Sequence, residues 1–153
     1  MYKIIVRNFY AYIANPLRRV YWFIFRPETR GAKTLIQFQD SFLFVRLGYA
    51  HKSWTFPGGG VKRKESFEEA ARRETFEEVG VHLDKLEMFY GYKNVHEYKR
   101  DTVQCFYSKV NTPDFKIDGL EIVEAGWFTL DKLPFPRPPR VDDILRKYLL
   151  TVN

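Results

Sequence analysis

The chain has 153 residues, 45% hydrophobic and 18% aromatic, which suits one globular domain and excludes a disordered chain. Its net charge of +6 favours an anionic partner, such as a phosphate group, a nucleic acid or a membrane surface. The single cysteine, Cys105, excludes an intramolecular disulfide and a multi-cysteine zinc site. A lone cysteine and the lack of a recognisable export segment together predict a cytoplasmic protein.

Residues 1–26 differ from the rest, because they hold five basic residues, eight aromatic residues and no acidic one. We expect them to form an arm, separate from a domain over residues 27–153, that packs on that domain or on a second copy of the chain. The alternative is a helix on an anionic membrane surface, with Ile5 and Phe9 opposite Lys3. We favour the packed arm, so we allow a homodimer, rank peripheral membrane contact second and expect no stable complex with nucleic acid.

Turn and strand signals alternate in the next part of the chain. They predict a turn over residues 26–31, a β-hairpin with strands over 33–39 and 41–47, and a short strand over 54–56. Three consecutive glycines follow, Gly58–Gly60, and predict a loop with unusual backbone angles or a close backbone approach.

The segment after the glycines predicts a helix. Ser66 and Glu69 have the spacing of a capping box, no helix breaker follows, and Gly80 is a typical C-terminal stop. The remaining elements are predicted as strands over 86–93, 102–110 and 122–130, a proline-rich connector over 134–139 and a closing helix over 141–150. This alternation indicates a small α/β or α+β domain.

The predicted helix carries carboxylates where an amphipathic helix would carry aliphatic residues. At about 100° per residue, Glu74 and Glu78 continue the stripe of small residues that should face the domain, and Glu77 lies beside them. Carboxylates in such a place, near the negative end of the helix dipole, are costly unless they are paired or bind a metal ion. Oxygen ligands without cysteine or suitably spaced histidine indicate Mg²⁺ or Mn²⁺. The alternative is a solvated acidic face with salt bridges.

Charge is distributed unevenly around this helix. Residues 65–78 hold six acidic and two basic residues, although the whole chain has a net charge of +6. An acidic cluster in a basic body suits a divalent cation that acts on a polyphosphate, because the carboxylates hold the cation while basic residues attract the phosphates.

The pattern of Gly59, Glu65 and the run over residues 73–81 resembles the Nudix box, Gly-x5-Glu-x7-Arg-Glu-U-x-Glu-Glu-x-Gly-U, in which U is a bulky aliphatic residue. All seven fixed positions match. Thr75 takes one aliphatic position, where we expect a small packing effect and intact chemistry. The resemblance implies an α/β fold, an α/β/α sandwich around a mixed β-sheet, with the box as a loop–helix–loop.

The resemblance also implies a hydrolase that uses Mg²⁺ or Mn²⁺ to cleave a nucleoside diphosphate linked to another moiety, by attack of water on phosphorus. The implied metal-binding and catalytic groups are the Gly59 carbonyl and the side chains of Glu74, Glu77 and Glu78, with Glu74 the first choice as base. The residues that support the box are Glu65, Arg73 and Gly80. The alternatives are a catalytically silent binding module of the same fold and a protein that processes RNA 5′ ends.

Residues beyond the box add further candidates. Family members recruit a carboxylate from a later loop, and Glu97 and Glu121 are candidates for it here. Tyr98 follows the box at a spacing where diadenosine-polyphosphate hydrolases of the family often carry a tyrosine, although ten tyrosines make a chance match easy. Four aromatic residues could stack on a base, but they alternate as strand residues do, so we expect them to pack in the core: Trp54, Phe56, Tyr90 and Tyr92.

Overall fold

The computed structural model describes residues 28–48, 52–96, 99–117 and 119–152. Its elements are the strands β1 (Glu28–Phe38), β2 (Ser41–Leu47) and β3 (Trp54–Thr55), the helix α1 (Phe67–Val79), the strands β4 (Glu87–His96), β5 (Lys99–Lys109) and β6 (Ile122–Thr129), and the helix α2 (Pro139–Val152). The arm expected over residues 1–26 lies outside the described residues, as do Glu97 and Tyr98. None of the described helices is long and apolar enough to cross a membrane.

The strands form one mixed sheet with the order β3-β2-β1-β5-β4, and β6 pairs with β2. The central strands β1 and β5 run parallel along almost their whole length, whereas the other pairs are antiparallel. One helix packs on each face of this sheet. The predicted α/β fold with a mixed sheet is therefore confirmed.

The two faces have separate hydrophobic cores, because side chains along β1 alternate between them. On one face, Ala32 packs with Phe106 and with the small residues of α1. On the other face, Leu35 and Cys105 lie under α2, which buries Tyr148 there. Cys105 is a buried free thiol.

The helix α1 begins and ends where the sequence predicted. The Ser66 hydroxyl accepts a hydrogen bond from the Glu69 amide at 3.1 Å, and the Glu69 carboxylate accepts one from the Ser66 amide at 2.8 Å. Gly80 closes the helix with a left-handed φ of 67°. These caps satisfy backbone groups that a helix end leaves without partners.

The strands β1 and β2 pair only near their shared turn and then separate. The glycine loop fills the gap, because the Ala32 amide donates to the Gly59 carbonyl and the Thr34 amide to the Pro57 carbonyl, both at 2.9 Å. Gly58 has a φ of 135°, and a Cβ there would lie 2.1 Å from the Ala32 oxygen. The predicted close backbone approach is thus present, and it brings the loop against the middle of the sheet.

Several predicted boundaries are wrong: β4 continues to His96 and not to residue 93, and β5 begins at Lys99 and not at residue 102. The predicted turn over residues 26–31 conflicts with β1, which already begins at Glu28 and pairs with β5 from that residue onward. Helix α2 begins at Pro139, two residues earlier than predicted, since proline is well accommodated in the first turn of a helix. At the start of β1, pairing with a distant strand overrides a local turn signal.

Thr75, the one departure from the box pattern, is fully buried beneath α1. Its hydroxyl lies 3.2 Å from the hydroxyl of Thr34, which is fully buried on β1. A pair of hydroxyl groups therefore replaces the aliphatic contact, and each supplies the hydrogen-bond partner that the other needs in an apolar environment.

We predict that Thr75→Val lowers the free energy of unfolding by about 1–3 kcal/mol, because it leaves the Thr34 hydroxyl buried without its partner. The double variant Thr34→Val/Thr75→Val should recover to within about 1 kcal/mol of the wild type, since both hydroxyls are then gone. Urea denaturation of the two single variants and the double variant measures the coupling. Additive losses would contradict a coupled pair.

Candidate active site

A cavity of about 800 Å³ opens where β1 and β2 separate. The glycine loop and the C-terminal half of α1 form one side, and the exposed parts of β1, β4 and β5 form the other. Its volume lies in the range of small-molecule binding sites. The acidic and basic residues that line it are Arg30, Lys33, Lys62, Arg73, Glu74, Glu77, Glu78, Asp101 and Glu121.

Glu78 is the buried carboxylate of the cavity, with 6% of its surface exposed. It accepts a hydrogen bond from the Gly58 amide at 2.8 Å. Burial raises the pKa of Glu78 to about 7, although the positive charge of Lys33 opposes that shift. No ion pair within the described part of the chain includes Glu78, so its carboxylate retains capacity for a cation.

Lys33 lies on β1 behind the glycine loop, and the sequence analysis missed it. Its ammonium group donates to the Phe56 carbonyl at 3.0 Å and to the Gly58 carbonyl at 3.1 Å. Burial lowers the pKa of Lys33, whereas Glu78 and Glu74 raise it. In sequence, Lys33 is one polar residue in a strand, and only the register of β1 against the loop reveals its position.

Arg73 ties the loop to the helix. Its Nε and Nη2 donate to the two carboxylate oxygens of Glu65 at 2.7 and 2.9 Å, which fits the supporting role that the resemblance implies for both residues. Its Nη2 also donates to the Gly60 carbonyl at 2.9 Å. The Arg73 hydrogen bonds, with one from the Lys62 amide, lower the pKa of Glu65 to about 2.

The same guanidinium group reaches the other two box carboxylates. Arg73 Nη1 donates to Glu74 at 2.7 Å and to Glu77 at 3.0 Å. The Glu74 side chain is 17% exposed and that of Glu77 is 53% exposed. The inward stripe predicted for the helix is thus present for Glu74 and Glu78, and Glu77 lies at its solvent side.

Glycine at position 59 leaves room for the Glu74 carboxylate. A Cβ at Gly59 would lie 2.5 Å from Glu74 Oε2, closer than packed atoms allow. The neighbouring Gly60 differs, because a Cβ there would meet nothing within 4 Å. The position of the Glu74 carboxylate therefore requires glycine at position 59.

The donor set fits Mg²⁺ or Mn²⁺ by its chemistry, since it consists of carboxylate and carbonyl oxygens. The Gly59 carbonyl accepts the Ala32 amide at 2.9 Å and has a second lone pair. Across the described ranges, no three acidic, histidine or cysteine side chains lie close enough to hold a metal ion as they stand. Glu74 and Glu77 are hydrogen-bonded to Arg73 and would have to turn toward a cation, so their ligand roles stay predictions.

The candidates beyond the box divide into three groups. Glu121 lines the same cavity, and its charge contributes to the raised pKa of Glu78. Trp54 and Phe56 are buried in the core, as expected. Tyr92 is half-buried and also lines the cavity, which its strand pattern alone did not reveal.

Comparison with known proteins gives four informative matches, two by sequence and two by structure. A family model described as the NUDIX domain matches residues 18–149. Over 81 residues the chain is 35% identical to the NAD-capped RNA hydrolase NudC of Chromobacterium violaceum, which covers 52% of this chain and 30% of that protein. The chain therefore spans about a third of the length of this curated relative.

Two solved structures share the fold. The MutT NUDIX hydrolase from Burkholderia pseudomallei superposes with a TM-score of 0.72 at 22% identity, over 78% of this chain and 97% of that one. The NUDIX domain of Shewanella oneidensis NrtR, solved as a complex with ADP ribose, has a TM-score of 0.67 at 15% identity, over 84% and 89% of the two chains.

The ion pair between Glu65 and Arg73 predicts a specific dependence of stability on pH. The pKa of Glu65 falls from its ordinary 4.5 to about 2 in the folded protein. The contribution of this ion pair to the free energy of unfolding is therefore complete above pH 4.5 and is lost as the pH falls toward 2. Glu65→Gln should therefore lower the melting temperature at pH 6, and the difference from wild type should shrink between about pH 4.5 and 2.

The control for that measurement is Glu68→Gln, which removes another carboxylate paired with an arginine but about half exposed. It should change the melting temperature less than Glu65→Gln at pH 6, since exposed ion pairs contribute little. A gap between wild type and Glu65→Gln that stayed constant from pH 6 to pH 2 would contradict the account.

The close contact between Glu74 and Gly59 predicts that a methyl group added at position 59 lowers turnover. Gly59→Ala should narrow the space in which the Glu74 carboxylate can turn toward a cation, and it should reduce turnover of the best substrate by about 100-fold, the order expected for a misplacement of about 1 Å. Gly60→Ala is the matched control and should stay close to wild type, because its Cβ enters open space. Equal effects of the two substitutions on kcat would contradict this role of Gly59.

Proposed function

Since the chain belongs to the Nudix family of hydrolases, we propose that it is a pyrophosphohydrolase. With Mg²⁺ or Mn²⁺ it cleaves a nucleoside diphosphate linked to another moiety. The observation that carries this proposal is that the three box carboxylates and the glycine loop border one cavity of about 800 Å³. The ADP ribose in the related NrtR structure supports a ligand of this class on this fold.

The groups that would hold the cation are the Glu74, Glu77 and Glu78 carboxylates and the Gly59 carbonyl. When bound, a divalent cation neutralises phosphate oxygens and lowers the pKa of water. The Gly58 amide keeps Glu78 in place through its 2.8 Å hydrogen bond. Lys33 keeps the loop in place through the Phe56 and Gly58 carbonyls.

Water attacks one phosphorus atom of the diphosphate, and the bond from that phosphorus to the bridging oxygen breaks. A carboxylate oxygen of Glu74 accepts the proton of the attacking water. Glu74 suits this role better than Glu78, because its side chain faces the cavity beside Gly59, whereas Glu78 lies buried behind the loop. Glu121 is a second carboxylate on the same cavity that could share the proton transfer.

A second candidate substrate is the capped 5′ end of an RNA. The curated relative is named as a hydrolase of NAD-capped RNA. In this chain, the loop between the glycines and α1 carries the consecutive basic residues Lys62, Arg63 and Lys64, which are exposed, and Lys62 lines the cavity. Such cations at the mouth of a site would attract the phosphates of an RNA chain.

Glu78→Gln tests the proposed reaction, because it keeps the shape of the side chain and removes its charge. We expect a fall in kcat of at least about 10²–10³-fold on the best substrate of a hydrolysis screen that detects the phosphomonoester products by chromatography. The screen should cover nucleoside triphosphates, dinucleoside polyphosphates, nucleotide sugars, NAD and NAD-capped RNA. The melting temperature should not fall, since the variant no longer buries a charge.

Glu68→Gln, on the exposed side of the same helix, is the matched control and should keep wild-type turnover. Excess chelator should abolish turnover in both proteins. Full activity of Glu78→Gln, or of the wild type in excess chelator, would refute the proposed reaction.

A further inference from the structure

One part of the cavity lies far from the box carboxylates and has no role in the proposed reaction. It is the far wall, formed by Thr29 of β1, Tyr92 of β4, and Asp101 and Val103 of β5. Their register places them together, because Thr29 pairs with Asp101 and Tyr92 with Val103. Helix α2 covers the other end of this sheet face, around Leu35 and Cys105.

The cavity therefore has two chemically different ends. Lys33, beside the box, pairs with Cys105, whereas Thr29 pairs with Asp101 four residues earlier along the same two strands. Four residues of β-strand span about 13 Å. A ligand with its diphosphate at the box would thus extend another group along the strands toward the far wall.

Asp101 gives the far wall a negative charge and a hydrogen-bond acceptor. Its Oδ1 accepts a hydrogen bond from the Thr29 hydroxyl at 2.7 Å. In the described parts of the chain, that is the one hydrogen bond to its carboxylate, and no described ion pair includes it. A carboxylate has about four acceptor positions, so it can take further N–H donors from the cavity side.

Tyr92 provides a fixed aromatic surface next to this carboxylate. The Arg140 guanidinium lies 4.5 Å from the centre of its ring, and the Tyr90 ring lies 5.6 Å away. Arg140, on α2, is not among the residues that line the cavity, so it covers Tyr92 from the helix side. The Tyr92 ring and the Val103 side chain form an apolar surface of the kind on which planar rings pack.

We propose that the far wall binds a planar ring that carries an N–H donor, and that Asp101 determines this specificity. Two groups have this chemistry, the amino group of a nucleobase and the carboxamide of nicotinamide. An anionic group in contact with the Asp101 carboxylate would be repelled, because the two carry the same charge. This inference rests on the proposed function, which sets the diphosphate at the opposite end of the cavity.

Two matched pairs of ligands test it by calorimetric titration of the full chain. AMP carries the amino group that purine riboside 5′-monophosphate lacks. Nicotinamide mononucleotide carries a carboxamide where nicotinic acid mononucleotide carries a carboxylate. We expect the wild type to prefer the N–H donor in at least one pair by about tenfold in Kd, the value of one net hydrogen bond. The pair that shows the preference identifies the ring.

Asp101→Asn removes the charge and one acceptor oxygen but keeps the shape of the side chain. The asparagine can still accept a hydrogen bond from the Thr29 hydroxyl. The preference for AMP over purine riboside 5′-monophosphate should fall from about tenfold to about onefold to threefold in Kd, since a neutral amide replaces one carboxylate acceptor. The nicotinamide preference should disappear or reverse, because the asparagine amide can donate to the nicotinic acid carboxylate. Asp84→Asn makes the same change at an exposed residue that does not line the cavity, and it should retain the wild-type preference.

Equal affinities within both pairs for the wild type would overturn the proposal, as would an Asp101→Asn variant that keeps the wild-type preference. These monophosphates contain no anhydride bond, so their binding does not depend on catalysis. Failure of the proposed function would instead appear as an absence of hydrolysis of diphosphate substrates into two phosphomonoesters, with ligand discrimination intact.

Discussion

The burial of the Glu78 carboxylate is the constraint on which the rest of the site depends. A buried charge without a partner is costly, and here the Gly58 amide and the nearby charge of Lys33 offset only part of that cost. Both partners act only if the glycine loop lies against β1. The φ of 135° at Gly58 and the separation of β1 from β2 allow that approach. A divalent cation would complete the compensation.

Arg73 holds the remaining acidic side chains in one network. Its guanidinium group contacts Glu65 at the start of the box and also Glu74 and Glu77 on the helix. The loop and the helix are therefore joined by a charged group that is itself mostly buried. This explains how several carboxylates can lie within one helix and loop, and it gives the box a rigid frame before any ligand binds.

Features that depend on near neighbours in sequence could be predicted. The caps of α1, the β-hairpin and the inward carboxylates all follow from spacing within a few residues. Features that depend on strand register could not. The start of β1 rests on pairing with β5, whose partner residues lie about 70 positions later, and a local turn signal is misleading there. Lys33 and Asp101 line the same cavity because β1 and β5 pair side by side in the sheet, although the two strands are far apart in sequence.

We propose that the carboxylates around Glu78 hold a divalent cation. The most direct test is a crystal of the full chain grown with Mn²⁺, with anomalous scattering recorded to locate the metal. We expect an anomalous peak within about 2.0–2.3 Å of oxygens of Glu74 and Glu78, at distances typical of a hard cation. We also expect Glu74 to have left its hydrogen bond to Arg73. A crystal with no peak at these carboxylates, or with Mn²⁺ bound only elsewhere on the chain, would show that they do not hold the cation.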